Sequence, residues 1–443
     1  MESKTRLSRR RPLRETNKLR YEDRAVHDWY RFVLSFPPHL VRDYLDRFKL
    51  GPRHKVLDPF CGTGTTLVEC KRKGVPSIGI EANPLLALAS QVKVDWAGYA
   101  DHRDRHAQKI AALATRRLRE QGIEDVGDAP LFAGSRRASY ELRRLPKDTQ
   151  KLLLANSISP KPLHKTLVLL EVMEENEDPR FTPHERLALA KALVSGISNL
   201  EFGPEVGVGR PKADAPVVPT WLHNVEAVVS DLPQLRERSQ VPATVCKADA
   251  RQLLSVIESC SIDGLITSPP YPNEKDYTRT TRLESVLLGL VRSKEDLRSL
   301  KQSLIRSNTR GVYKGDCDHL LIENHTEIQR IASQIEDRRI ELGKTSGFER
   351  LYSRVTKLYF GGMLRHLREV RSALRPGAHC AYVVGDQASY LRVMIRTGEL
   401  IADIARSLGF EVVGIDLFRT RLATATREQL REEVVVLRWP GFG

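Results

Sequence analysis

Asp58-Pro59-Phe60-Cys61-Gly62-Thr63-Gly64-Thr65-Thr66 is the stretch on which the fold turns. Lys55-Val56-Leu57-Asp58 reads as a short buried strand, and Thr65 to Lys73 reads as a helix. Between them Gly62 and Gly64 permit a tight turn whose backbone can come close to a ligand. The helix then offers unpaired N–H groups at its start. Ser77-Ile78-Gly79-Ile80 reads as a second strand, and Asn83-Pro84 opens a second helix, with Asn83 as N-cap and Pro84 in the first turn. Strand, helix, strand, helix in this order begins a parallel sheet with helices on both faces.

Towards the N-terminus, residues 1–25 are basic and polar and read as a flexible arm. VHDWYRFVLSFPPHLV, from Val26, reads as a helical segment ending near Pro37-Pro38. Towards the C-terminus the pattern breaks at residues 96–240, a mainly helical insertion and a candidate for target recognition. Within it Thr182-Pro183-His184-Glu185 has the form of a capping box, and Phe202 to Pro219 is rich in Gly and Pro and reads as an ordered loop. The sheet resumes near Thr244, and Ile262 to Thr267 reads as another buried strand. Residues 282–349 form a second helical insertion, in which the basic residues Arg306, Arg310 and Lys314 are candidate contacts for phosphates. A helix from Leu358 to Leu374, a strand from Cys380 to Val384 and a helix from Thr397 to Leu408 follow. Val412 to Phe418 and Glu433 to Leu437 then read as an antiparallel hairpin at the sheet edge. The catalytic core is therefore expected to be discontinuous, over 26–95 and 241–443.

A chain of 443 residues with 41% hydrophobic and 29% charged residues can bury a full core, which excludes a disordered protein. The net charge of +15 favours a polyanionic partner, nucleic acid above all. The 6 cysteines are scattered without a CxxC pair, so neither a disulfide framework nor a metal site is expected, and a cytoplasmic location fits. The charged N-terminus does not read as a signal peptide, and no apolar run is long enough to span a membrane.

Asp58, Glu81 and Asp249 stand at the ends of three successive strands. Glu81 suits ribose hydroxyls, and Asp249, in CKADAR, suits an adenine amino group. The loop lacks the Lys-Ser/Thr pair of a phosphate site, since Thr65-Thr66 follows Gly64. Three acids without a phosphate loop describe an adenosyl ligand.

Ser268-Pro269-Pro270-Tyr271 follows the strand Ile262 to Thr267. The two prolines fix the backbone. An exocyclic amine on a base is a poor nucleophile, because its lone pair is delocalised into the ring. Acceptors around its N–H groups, here the Ser268 side chain and the Pro269 carbonyl, favour a pyramidal nitrogen. Tyr271 can stack on a base that has left its duplex. The remaining task is placement.

On these motifs the sequence resembles the DNA amino-methyltransferases of bacterial restriction-modification and defence systems. DPFCGTGTT is similar to their cofactor motif, and TSPPY is similar to the catalytic motif of their N4-cytosine subset. The segment around Phe36 resembles the aromatic motif that packs on the methionine part of the cofactor, and IRTGELIADIARSLGFEVV and REEVVVLR resemble the closing helix and hairpin. The resemblance runs over 26–95, 241–290 and, more loosely, 355–440. It implies an α/β, Rossmann-like S-adenosylmethionine-dependent methyltransferase fold with a mostly parallel seven-stranded sheet, an antiparallel edge hairpin and two mainly helical insertions. It implies S-adenosyl-L-methionine bound by Phe36, Asp58, Pro59, Phe60, Gly62, Gly64, Thr65, Glu81 and Asp249, and catalysis by Ser268, Pro269, Pro270 and Tyr271. DNA is the implied partner, and a cognate restriction endonuclease a further one. Cytosine-C5 enzymes attack through a Pro-Cys loop, and no Pro-Cys dipeptide occurs here, so a covalent route is not expected.

Four functions remain open at this point. Transfer to cytosine N4 is favoured. Transfer to adenine N6 is disfavoured by Ser268, since that subset more often has Asp or Asn before Pro-Pro. A methyltransferase for RNA or another amino substrate would usually carry Asp or Asn before Pro-Pro and often an added RNA-binding domain, of which there is no signature, and the intact acids and intact SPPY argue against an inactive DNA-binding homologue.

Overall fold

The computed structural model describes residues 19–32, 35–97, 100–125, 141–202, 205–422 and 429–442. Most of the basic arm, residues 1–18, lies outside the described residues. The strands in chain order are β1 (Val56–Asp58), β2 (Ser77–Ile80), β3 (Leu200–Phe202), β4 (Val206–Val208), β5 (Ala243–Cys246), β6 (Ile262–Thr267), β7 (Leu374–Gly385), β8 (Glu411–Leu422) and β9 (Gln429–Arg438). Seven of them form one sheet in the order β5-β2-β1-β6-β7-β9-β8. β5, β2, β1, β6 and β7 run parallel, and β9 is antiparallel to both β7 and β8. The order reverses between β1 and β6, where a doubly wound sheet opens a crevice at its carboxyl edge.

Side chains alternate across the sheet and build two apolar layers. Leu57, Leu265, Cys380, Tyr382, Val435 and Leu437 face one way, against the helices Tyr352–Ala373 and Thr397–Ser407. Val56, Ile266, Ala381, Val383, Val434 and Val436 face the other way, against the helix Pro38–Arg47. Burial of each large aliphatic side chain is worth about 1.5–3 kcal/mol, so this alternation fixes the register as well as the fold.

The aromatic stretch departs from its expected helical form. Pro38 opens a helix, Pro38–Arg47, because proline fits a first helical turn, where no amide is needed. Upstream, among the described residues, a 3-10 turn at Tyr21–Asp23 and a short turn at Arg24–His27 are helical, and the latter contains Val26 at φ 68°. The aromatic residues serve as anchors instead. Trp29 Nε1 donates to Asp231 at 2.7 Å, and Tyr30 Oη donates to Glu284 at 2.7 Å.

The first insertion consists mainly of the helices Ala100–Glu120, Pro160–Glu175, Thr182–Ala192 and Val217–Asp231. Their apolar faces join those of Leu85, Leu86 and Ala89, so the insertion packs on the helix Pro84–Val94 that follows β2. The capping box at Thr182 is not formed. Thr182 Oγ1 instead accepts from the Asp178 amide at 3.0 Å, and Glu185 pairs with His106 at 2.6 Å. Tertiary partners have taken both side chains. The Gly- and Pro-rich loop expected at 202–219 is in part the β3–β4 hairpin, and the helix Val217–Asp231 begins inside it.

Candidate active site

At the carboxyl ends of β1, β2, β5 and β6 lies a cavity of about 310 Å³, within the range of small-ligand sites. Phe36, Pro59, Phe60, Gly62, Thr65, Glu81, Asp249, Ser268, Pro269, Pro270 and Tyr271 all border it. The sheet topology thus brings eleven of the thirteen expected cofactor and catalytic residues to one wall-to-wall site.

The turn after β1 has the geometry its glycines suggested. Gly64 has φ 83° and caps the helix Thr65–Lys73. A Cβ on Gly64 would lie 2.9 Å from Ser90 Oγ, so no larger residue fits between this turn and the next helix. Ser90 Oγ donates to the Gly62 carbonyl at 2.8 Å and ties the two together.

Glu81 is the best-prepared group in the cavity. One carboxylate oxygen accepts from the Gly62 amide at 2.9 Å, and the other accepts from the Asn83 amide at 2.7 Å. Each oxygen keeps a lone pair for a ligand hydroxyl. Burial at the strand end outweighs those amides and raises the carboxyl to about 7.

Asp58 and Gly64 do not border the cavity. The Asp58 carboxylate lies behind the turn, where Oδ1 accepts from Thr267 Oγ1 and from the Phe60 amide. Oδ2 is buried without a hydrogen-bond partner within 3.5 Å among the described residues, and burial raises this carboxyl to about 6 against the pull of the neighbouring Thr267 and Thr66 hydroxyls. Asp249 borders the cavity, but Arg251 grips its carboxylate at 2.7 Å and bridges it to Asp318 at 2.9 Å.

In the loop after β6, Ser268 Oγ donates to the Val383 carbonyl at 3.0 Å. Its hydrogen is thereby occupied and its lone pairs are left to accept. The Tyr271 ring passes so close to Gly385 that a Cβ there would lie 3.1 Å from Tyr271 Cε2. Gly385 therefore gives the ring its place.

Comparison with known proteins adds to this geometry. A family model for N6/N4 DNA methylases matches residues 8–90. The chain is 25% identical over 449 residues to the type II methyltransferase M.BsoBI of Geobacillus stearothermophilus, covering 94% of this chain and 85% of that protein. It is 24% identical over 451 residues to the type II methyltransferase M.AvaI of Nostoc sp., covering 95% of this chain and 87% of that one. A 70-residue stretch is 41% identical to the type II methyltransferase M.MjaII of Methanocaldococcus jannaschii, covering 16% of this chain and 13% of that protein. The chain is thus similar over most of its length to type II DNA methyltransferases, and over residues 8–90 to a DNA methylase family.

The three basic residues expected to meet DNA are not found together at the cavity. Arg306 is buried, contrary to a role on phosphates. Its guanidinium donates to both oxygens of Asp316, at 2.8 and 2.9 Å, and to the carbonyls of Lys301 and Gln302. It is the staple that closes its own loop. Arg310 is exposed with its guanidinium over the Phe348 ring, and Lys314 is exposed. Neither borders the cavity.

Other basic residues do border it. Lys275 and Tyr277 come from the continuation of the Ser268–Tyr271 loop, and Arg419, Arg421 and Glu432 come from the β8–β9 hairpin. Arg419 is held by Glu432 at 2.5 and 2.7 Å. Lys275 was legible as a cation four residues beyond Tyr271. The hairpin residues carried no local signal, because only the pairing of β9 between β7 and β8 swings them over the cavity.

Proposed function

We propose that this chain is a DNA methyltransferase that uses S-adenosylmethionine and methylates the exocyclic N4 amine of a flipped cytosine. The observation that carries the reading is the sharing of one cavity by Glu81 and by Ser268-Pro269-Pro270-Tyr271. A nucleoside-binding acid and an amine-orienting loop then stand on two walls of the same space.

The residues fit the adenosyl cofactor on their own chemistry. Glu81 offers two unfilled acceptor positions, as a ribose diol needs, and Phe60, Ile80 and Leu86 supply an apolar wall for a purine. When bound, the cofactor would supply an electrophilic methyl on sulfonium, and the amine that takes it would give up one N–H proton to solvent by way of the acceptors beside it. The protein's part is orientation. The Ser268 lone pairs and the Pro269 carbonyl accept from the amine, which favours a pyramidal nitrogen. Tyr271 covers one face of the base, a stacking contact worth about 1–3 kcal/mol. Lys275 and Arg421 stand at the same cavity and would take the phosphates beside the flipped nucleotide. The net charge of +15 agrees with a polyanionic substrate. Likeness over most of the chain to type II methyltransferases supports a sequence-specific DNA target and a cognate restriction endonuclease.

Digestion of DNA incubated with the protein and cofactor, followed by mass spectrometry of the nucleosides, tests the reading. N4-methylcytosine is expected. N6-methyladenine instead would move the acceptor to adenine, and absence of any methylated nucleoside across DNA of varied sequence would refute the activity.

A further inference from the structure

A second, small cavity of about 20 Å³ abuts the first, with room for about one water. The two share Ser35, Phe36, Thr63 and Thr65 as a common wall. Lys93, from the helix Pro84–Val94, lines the far side of the small cavity and is 1% exposed. Its ammonium donates to one acceptor, the His27 carbonyl at 3.1 Å, and forms no ion pair among the described residues. Arg31, exposed at the same cavity, also has no hydrogen bond or ion pair among the described residues. Thr65, the first residue of the helix Thr65–Lys73, belongs to this shared wall, so the positive end of the helix dipole lies there.

A buried ammonium with one neutral acceptor is costly to keep charged, and desolvation lowers it to about 7. Asp28 nearby favours the charge, while Arg31 and Lys191 oppose it. What the site lacks is an anion, and the cofactor proposed above carries a carboxylate at its methionine end.

We propose that Lys93, with Arg31 beside it, is the counter-charge for that carboxylate, reached across the wall of Ser35, Phe36, Thr63 and Thr65. The inference rests on the cofactor reading and deepens it. The adenosyl end is held by acceptors at Glu81, and the amino-acid end by cations on the opposite side of the turn. Carboxylate binding would draw a proton onto Lys93 at neutral pH.

Calorimetry with S-adenosylhomocysteine and with 5′-methylthioadenosine, which lacks the carboxylate, separates the two ends. Lys93→Met is expected to weaken the first ligand about tenfold and leave the second unchanged. The unsubstituted protein provides a second measurement that needs no variant. At pH 7.5, in buffers of differing ionisation enthalpy, S-adenosylhomocysteine should take up more protons than 5′-methylthioadenosine. Equal proton uptake for both ligands, or equal loss of both in Lys93→Met, overturns the role of Lys93 alone. Binding of neither ligand to the unsubstituted protein overturns the cofactor site and this inference with it.

Discussion

Replacing Glu81 by Gln tests the cofactor site at its most defined point. The carboxylate stands between two backbone donors, the Gly62 amide at 2.9 Å and the Asn83 amide at 2.7 Å. Glutamine can satisfy only one of them, since its NH₂ group must face the other donor. One ligand hydroxyl also loses its charged acceptor. A hydrogen bond to a charged group is worth about 1.5–3 kcal/mol, so affinity should fall about 10- to 150-fold. The pH response should change too. The carboxyl ionises near 7 in the free protein, so a ligand that prefers the ionised form should bind more tightly as pH rises from 6 to 8. Glu81→Gln should lose that slope. The measurement is calorimetry with 5′-methylthioadenosine, whose missing carboxylate removes any contribution from Lys93. Unchanged affinity and an unchanged pH slope in a folded Glu81→Gln protein would refute the assignment of this acid to the ribose.

Tyr271→Ala should slow single-turnover methylation of DNA by about 5- to 150-fold through lost stacking of about 1–3 kcal/mol, while Tyr271→Phe keeps much of the rate; equal rates in Tyr271→Ala and the parent would remove the ring from the site. Arg306→Ala breaks a buried ion pair and should destabilise the fold by about 3–5 kcal/mol, read as a lowered thermal midpoint, without changing the salt dependence of DNA affinity in whatever fraction remains folded. Lys275→Ala with Arg421→Ala should flatten the slope of log affinity against log salt by between one and two phosphate contacts, and an unflattened slope would place the DNA elsewhere.

Much of this architecture could be read locally. The helix Thr65–Lys73 and the strands Ser77–Ile80 and Ile262–Thr267 have the boundaries their apolar pattern and turn residues suggest, and Asn83 caps its helix as expected. In each, a short-range signal agrees with the packing that the sheet requires. The failures lie where a distant partner decides. The aromatic run after Val26 looked helical by composition, yet Trp29 and Tyr30 were needed as anchors on two other segments. Thr182 and Glu185 looked like a cap until Asp178 and His106 claimed them. Arg306 looked like a DNA contact because charge in a loop is usually solvated, and nothing in its neighbourhood announced that Asp316 would bury it. Asp58 stands at the end of β1 as its strand suggests, but the distant Thr267 and the Phe60 amide hold its carboxylate off the cavity lining.

The pairing of the sheet has a consequence for how the protein comes into being. β1 lies between β2 and β6, so Val56 waits for its partner Gly264, nearly half the chain away. The last strand, β9, then inserts between β7 and β8, bringing Glu432 to the ligand cavity. Contacts this remote in sequence are slow to form, and the lining of the cavity is complete only once β9 has paired with β7. A chain that stops before Glu432 therefore lacks part of the cavity lining, however well its earlier strands have folded.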